Sequence, residues 1–358
     1  MDINPKNILM IKGHSAGIGD ILRSSAAWRA LKDRFPNAKL NLLFLSNNPG
    51  YPSEKLIAKH HLLDSFYAID KHYFNSVRLF LKALKKSDEV IKKVNPDFII
   101  DFEPYGLEST IVSMIGRFKY GIKTLGINEV FPRGLLYTFF SDSVRAFKKK
   151  YGIDILNYTD RDFVVLDKLE IKRGNIQIEI KETPEAKKFR EKIKKELGLD
   201  DNVLIVNIGC GTPDALPKRP DLKIYEEIVY YAYSKYGLIP VLIGADFERQ
   251  VNQQFIEMYL KKHNHPIFDI AGQTDILESV GAINLGKIVV SSDSGPYHIA
   301  VALRKPTLAL FNFNNQEHFH HNEWTICRVV KPNPNIQQLK EDIDYLYSVD
   351  SFKSHANF

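Results

Sequence analysis

Short apolar runs alternate with longer amphipathic stretches along almost the whole chain. In the first half, residues 7–12, 39–45, 65–70 and 97–102 read as strands. Residues 20–35 and 74–94 read as helices between them, the second with Val77, Phe80, Leu81, Leu84, Ile91 and Val94 on one face. A shorter helix is predicted around residues 108–118, after Pro104. The second half repeats the pattern, with strands at 203–208, 238–243, 266–270, 287–291 and 307–311. Its helices are predicted at 222–236, 246–262, 275–282 and 296–303. Hydrophobic strands separated by helices indicate parallel sheets covered on both faces. The fold class is therefore α/β, with two Rossmann-like, doubly wound halves.

A polar stretch over residues 167–201 separates the halves. Inside it, Thr183 as N-cap, Pro184 at the first position and Gly198 just past the end outline a helix. The expected organisation is an N-terminal domain over 1–170 and a C-terminal domain over 171–335. A last helix and a frayed tail would occupy 336–358. A length of 358 residues suits two such domains.

Charge changes this picture more than composition does. The formal net charge is +6, yet residues 71–150 alone hold 15 Lys/Arg against 8 Asp/Glu. Such a surface suits an anionic glycolipid or a membrane face, or is simply a solvated helix face. No nucleic-acid-binding module is recognisable, so nucleic acid is not an expected partner. Cys210 and Cys327 form neither a disulfide framework nor a metal-ligand spacing, which points to a reducing compartment. There is no basic-then-apolar leader and no apolar run of about 18 residues, and a cytoplasmic location is expected.

Open α/β sheets bind ligands at the carboxyl ends of their strands, and the polar motifs fall there. The run 287–291 leads into Asp293-Ser294-Gly295-Pro296-Tyr297-His298 and then a helix. That arrangement aims backbone N–H groups and a positive dipole end at one point, which suits a phosphate. His298 would reach a phosphate or the acceptor, or be a buried structural histidine. An earlier strand ends at Gly209-Cys210-Gly211-Thr212, followed by Lys218-Arg219-Pro220. The glycines allow close approach, Thr212 offers a hydroxyl, and Lys218 or Arg219 can neutralise a diphosphate. At Gly244-Ala245-Asp246-Phe247-Glu248-Arg249, Glu248 would accept from ribose hydroxyls or complement a helix dipole.

In the N-terminal half, strand 7–12 enters a turn with Gly13, Gly17 and Gly19 before Asp20. Asp20 would be a general base, or an N-cap worth about 1 kcal/mol. The turn does not match the dinucleotide fingerprint. His318, His320 and His321 lack a spaced acidic or cysteine companion and read as a polar loop rather than a zinc site.

Taken together, these segments resemble glycosyltransferase family 9, the bacterial ADP-heptose:lipopolysaccharide heptosyltransferases and their relatives. Residues 8–30, with Gly19-Asp20 and Ser24-Ser25-Ala26-Ala27, are similar to the family's N-terminal motif. Gly209-Cys210-Gly211 with Lys218-Arg219-Pro220 is similar to its donor-phosphate loop. Residues 244–249 and Ala271-Gly272-Gln273-Thr274 fit the next two motifs, and residues 293–303 match the most specific one.

The resemblance implies a GT-B architecture, two Rossmann-like domains facing across a cleft, and inverting transfer without a metal. It implies no cofactor, only a nucleotide-diphosphate sugar as co-substrate, ADP-heptose being the expected one. Asp20 would be the catalytic base, on an acceptor-side loop with Gly17 and Gly19. Gly209, Gly211, Thr212, Lys218, Arg219 and Glu248 would surround the donor, with Asp293, Ser294, Gly295 and His298. The acceptor would be an anionic surface glycan or glycolipid, lipopolysaccharide or a relative, met by peripheral contact at the inner membrane.

The chain departs from the family pattern in places. No Trp-Pro pair follows Lys218, Phe311-Asn312-Phe313-Asn314-Asn315 replaces a Gly-Pro-rich turn, and Asp101-Phe102-Glu103-Pro104-Tyr105 differs on the acceptor side. Two alternatives on the same architecture are a nucleotide-sugar isomerase of the 2-epimerase type and a non-catalytic nucleotide-sugar-binding relative. The first would need a second carboxylate in the donor cleft, and none stands out.

Overall fold

The apolar runs become strands of two parallel sheets in the computed structural model, which describes residues 3–14, 17–47, 49–210 and 213–349. The chain divides into two compact units, Met1–Ile178 and Glu179–Phe358. The first contains β1 (Asn7–His14), β2 (Lys39–Ser46), β3 (Ser65–Asp70), β4 (Phe98–Asp101), β5 (Lys123–Ile127) and β6 (Phe139–Ser141). The second contains β7 (Val203–Asn207), β8 (Ile239–Ile243), β9 (Phe268–Asp269), β10 (Ile288–Ser292), β11 (Thr307–Phe311) and β12 (Thr325–Val329).

The strand orders are β3-β2-β1-β4-β5-β6 and β12-β11-β10-β7-β8-β9, so the units share one topology. In each, the first strand is central and the fourth returns to its other side. The winding reverses between β1 and β4 and between β7 and β10, and the crevice beyond those strand ends is where such sheets bind ligands. The α/β, doubly wound expectation holds for both halves. No described helix is long and apolar enough to cross a membrane.

The structure departs from the sequence expectation in definite places. β5, β6 and β12 have no counterpart among the predicted runs. β6 spans only three residues and β12 carries Arg328, and both lie at sheet edges where continuous apolarity is not required. The predicted helix 20–35 is broken into Ile18–Leu22 and Ser25–Arg34. At the break the Ser25 hydroxyl donates to the Leu22 carbonyl at 2.7 Å, competing with the helical ladder. Gly17, not Asp20, is the N-cap, and Asp20 lies inside the first turn. The helix expected from residue 74 starts at Phe80. It buries Ala83, Ser87, Ile91 and Val94, leaving Val77 and Leu81 exposed.

The capping signals in the polar stretch are realised. Thr183 accepts the Ala186 N–H at 3.2 Å, Pro184 opens the helix Pro184–Glu196, and Gly198 follows it with φ +62°. This helix packs on Ile276–Leu285 at Gly281, where an added β-carbon would lie 2.1 Å from the Ala186 carbonyl oxygen. The last helix, Ile336–Ser348, buries Leu339, Ile343 and Leu346 in the same core as β7, β10 and β11.

Because the obstacle at Gly281 is backbone, it has little room to give. Gly281→Ala should cost about 1–3 kcal/mol by overpacking, despite alanine's advantage of about 1 kcal/mol in helix propensity. Urea unfolding checks this, and an unchanged or raised midpoint would contradict the close helix contact.

Candidate active site

In the C-terminal unit the ends of β7 and β10 are tied together by one side chain. The buried Asn207 amide donates to Ser294 Oγ at 2.7 Å and Ser291 Oγ at 3.1 Å. Ser292 donates across the same gap to the Gly209 carbonyl. Ser294 is the N-cap of the helix Gly295–Ala302, yet its side chain does not cap it, being engaged by Asn207 instead. The helix therefore presents first-turn N–H groups and its dipole at the switch point, an arrangement that favours an anion.

Two further strand ends and a cation complete this region. Lys218 Nζ lies 2.9 Å from Asp293 Oδ2, the lysine side chain 41% exposed and the aspartate 6%. Burial drives the Tyr225 phenol upward, and the nearby Arg219 charge opposes that shift. Beyond β11, Asn312 donates to the carbonyls of Pro217 at 2.9 Å and Arg219 at 2.7 Å, fixing the basic segment from behind. Beyond β8, the buried Glu248 carboxylate accepts the Ala245 N–H at 2.7 Å and lies under Gly209. A β-carbon at 209 would sit 1.8 Å from Glu248 Oε1, so this close approach requires glycine. Gly211 and Thr212 lie outside the described residues.

His298 is buried, and its Nδ1 lies 2.9 Å from Nε2 of His320. His320 is itself buried, which corrects its reading as part of a polar loop. Phe319 and Tyr297 pack against the pair, and the apolar Phe319 neighbour carries His320 inward. His321 remains exposed.

The N-terminal unit builds a different kind of strand edge. Lys12, at the end of β1, pairs with Asp162 at 2.6 Å and approaches Glu103 at 3.8 Å. Burial would lower the Lys12 ammonium, but the two carboxylates reverse it and its net shift is upward. Glu103 also accepts the Gly13 N–H at 2.9 Å. At the end of β4 the fully buried Asp101 accepts from Tyr137 at 2.6 Å, Arg133 at 3.1 Å and the Glu103 N–H at 2.9 Å. Arg133 also donates to Thr110 Oγ1 at 2.7 Å and the Gly106 carbonyl at 3.1 Å, clamping the turn after β4.

Asp20 forms an ion pair with Arg23, three residues on in the chain. Its side chain is 43% exposed, while that of Arg23 is 9% exposed and lies over the Tyr158 ring. Burial lowers the Arg23 guanidinium and Asp20 partly restores it. Asp20 is thus an accessible carboxylate oriented by an anchored cation. Gly17 is exposed and Gly19 buried beside it. Arg23 was legible as an i,i+3 partner. Asn207, Asn312, Arg133 and Tyr137 were missed, since their partners are distant in sequence.

Two doubly wound parallel units give the chain a fold that resembles the GT-B heptosyltransferase structures. The model of glycosyltransferase family 9 (heptosyltransferase) matches residues 179–342. The resemblance read from the motifs is borne out. Lipopolysaccharide heptosyltransferase 1 of Campylobacter coli is 18% identical over 302 residues, covering 83% of this chain and 81% of that protein. A glycosyltransferase family 9 structure from Veillonella parvula superposes with TM-score 0.69 at 18% identity, covering 92% of this chain and 87% of that one. The E. coli ADP-heptose lipopolysaccharide heptosyltransferase II structure gives 0.66 at 17% identity, covering 98% and 100%.

Burial pushes Asp101 up to about 6, above its ordinary 3.8, with Arg133 and Tyr137 pulling downward. A raised carboxyl binds its proton more tightly in the folded chain. Its contribution to stability is complete below the ordinary value and is lost as pH rises through about 6. Asp101→Asn cannot titrate. Its stability relative to wild type should improve by on the order of 2–3 kcal/mol between about pH 4 and about pH 7. Paired denaturant titrations would read this, and a pH-independent difference would refute it.

Proposed function

We propose that the chain transfers heptose from ADP-heptose, with inversion and without a resident metal, to an anionic bacterial surface glycan or its lipid-linked precursor. The observation that carries this reading is the Lys218–Asp293 pair beside the uncapped start of the helix Gly295–Ala302. The donor diphosphate would accept hydrogen bonds from the helix start and meet Lys218, and charge developing on the leaving ADP would be stabilised there. Glu248 would meet the ribose. Asp20 would take the proton of the acceptor hydroxyl as its oxygen attacks the anomeric carbon and the bond to the diphosphate oxygen breaks. Arg23 would hold that carboxylate in place. The family match and the named relatives support heptose as the sugar, and the basic excess over residues 71–150 supports an anionic acceptor and peripheral contact with the inner membrane.

Asp20→Ala should lower turnover by roughly 10²–10⁴-fold while leaving ADP affinity nearly unchanged; unaltered turnover would remove Asp20 from the mechanism. Lys218→Ala should weaken ADP binding about tenfold or more, partly because Asp293 is left as a buried, uncompensated charge. The double variant with Asp293→Asn should recover part of that loss by calorimetry, and no recovery would argue against the coupling. A thermal-shift series with ADP, GDP, UDP, CDP and dTDP tests the donor, and preference for another nucleotide discards ADP-heptose.

A further inference from the structure

The helix Leu107–Met114, continued by the wider turn Ile115–Lys119, buries several hydroxyl-bearing residues and leaves large apolar ones at the surface. Its buried side carries Ser109, Thr110, Ser113 and Gly116 around the core residue Val112. The hydroxyls of Ser109 and Thr110 are absorbed there by the Gly106 carbonyl, at 2.9 and 2.8 Å. Leu107, Ile111, Met114, Ile115 and Phe118 recur at the spacing of one helical stripe. Ile111 and Ile115 also touch the core, but Leu107 is 69% and Phe118 63% exposed. Ile111, Met114, Ile115, Phe118 and Lys119 line an open concavity of about 390 Å³.

The turn at residues 130–137 is fastened to the same helix, Arg117 donating to the Leu135 carbonyl at 2.9 Å and the Tyr137 carbonyl at 2.6 Å. Phe131 and Leu135 there are 78% and 64% exposed. A soluble surface rarely leaves so many large apolar side chains together without an occupant.

The rim identifies that occupant. Lys119 lines the concavity and is exposed, as is Lys123 at the start of β5. Lys119 pairs with Asp88 of the helix Phe80–Val94 at 2.7 Å, which brings that lysine-rich helix alongside. An apolar wedge within a basic rim is complementary to an anionic bilayer, which offers acyl chains beneath a negative surface. Two copies meeting through this face would set like charges together.

We propose that this face of the N-terminal unit seats in an anionic lipid surface, Leu107, Phe118, Phe131 and Leu135 entering the acyl boundary and Lys119 and Lys123 meeting the headgroups. The proposal rests on the peripheral membrane contact proposed above and names its surface. The helix begins directly after the turn clamped by Arg133 at the end of β4. Seating it would bring a lipid-linked acceptor to that edge of the sheet.

The test is sedimentation of the full chain with vesicles of phosphatidylcholine, alone or mixed with phosphatidylglycerol. Wild type should bind the mixed vesicles, less so in high salt, and Leu107→Ser/Phe118→Ser should partition about tenfold or more weaker. Both positions are exposed, so thermal unfolding should be unchanged; Phe131→Ser/Leu135→Ser gives a second pair should the first unfold. Wild-type binding that both pairs retain would overturn this surface while leaving membrane contact standing. No wild-type binding to either vesicle would overturn both. A concentration-dependent dimer abolished by the substitutions would assign the face to a second copy and overturn the proposal. ADP calorimetry on the same samples keeps failure of the transferase reading distinguishable from any of these.

Discussion

The hydrogen bonds from Asn207 to Ser291 and Ser294 span the place where β7 and β10 part company. At that point the chain leaves neighbouring strands toward opposite faces of the sheet, and a crevice opens between the two turns. A buried amide with no partner would cost about 1–3 kcal/mol, so its donors select one arrangement of both turns. That arrangement draws Ser294 away from capping, and so leaves the helix Gly295–Ala302 open to an anion. The Lys218–Asp293 pair and the Asn312 contacts then set a cation beside that opening.

The N-terminal unit uses the same topology with different chemistry. Its strand ends carry Lys12, Glu103, Asp162, Asp101 and Arg133, largely withdrawn from water. Buried charges persist only when paired and hydrogen-bonded, and here each is met by a partner from another turn. The result is a stiff edge on which Asp20, held by Arg23, remains accessible. One unit thus offers hydrogen-bond donors and a cation at its strand ends, the other an oriented carboxylate.

The helix after β4 shows how the clamp shapes a surface as well as a site. Arg133, Gly106 and the helix hydroxyls satisfy one another on the inner side. Val112 of the same helix lies in the core, while Leu107 and Phe118 are left exposed.

What the sequence determined by itself is the set of elements whose signals are local. Apolar runs of strand length mark β1, β2, β3, β4, β7, β8, β10 and β11. Thr183, Pro184 and Gly198 bracket a helix, and residues 288–302 form the expected strand, turn and helix, because a cap or a helix start is created by neighbours in the chain. What only the tertiary structure decided is who meets whom across long separations. His320 reaches His298, Asn312 reaches Pro217 and Arg219, and Arg133 reaches Asp101. The short strands β6 and β12 exist because an adjacent strand supplies their hydrogen bonds, and Gly209 is required because Glu248 arrives from another loop. None of these is encoded in a local pattern. A side chain's partner, and with it which face of a helix is inside, is settled only when the sheet order brings distant strand ends to one edge.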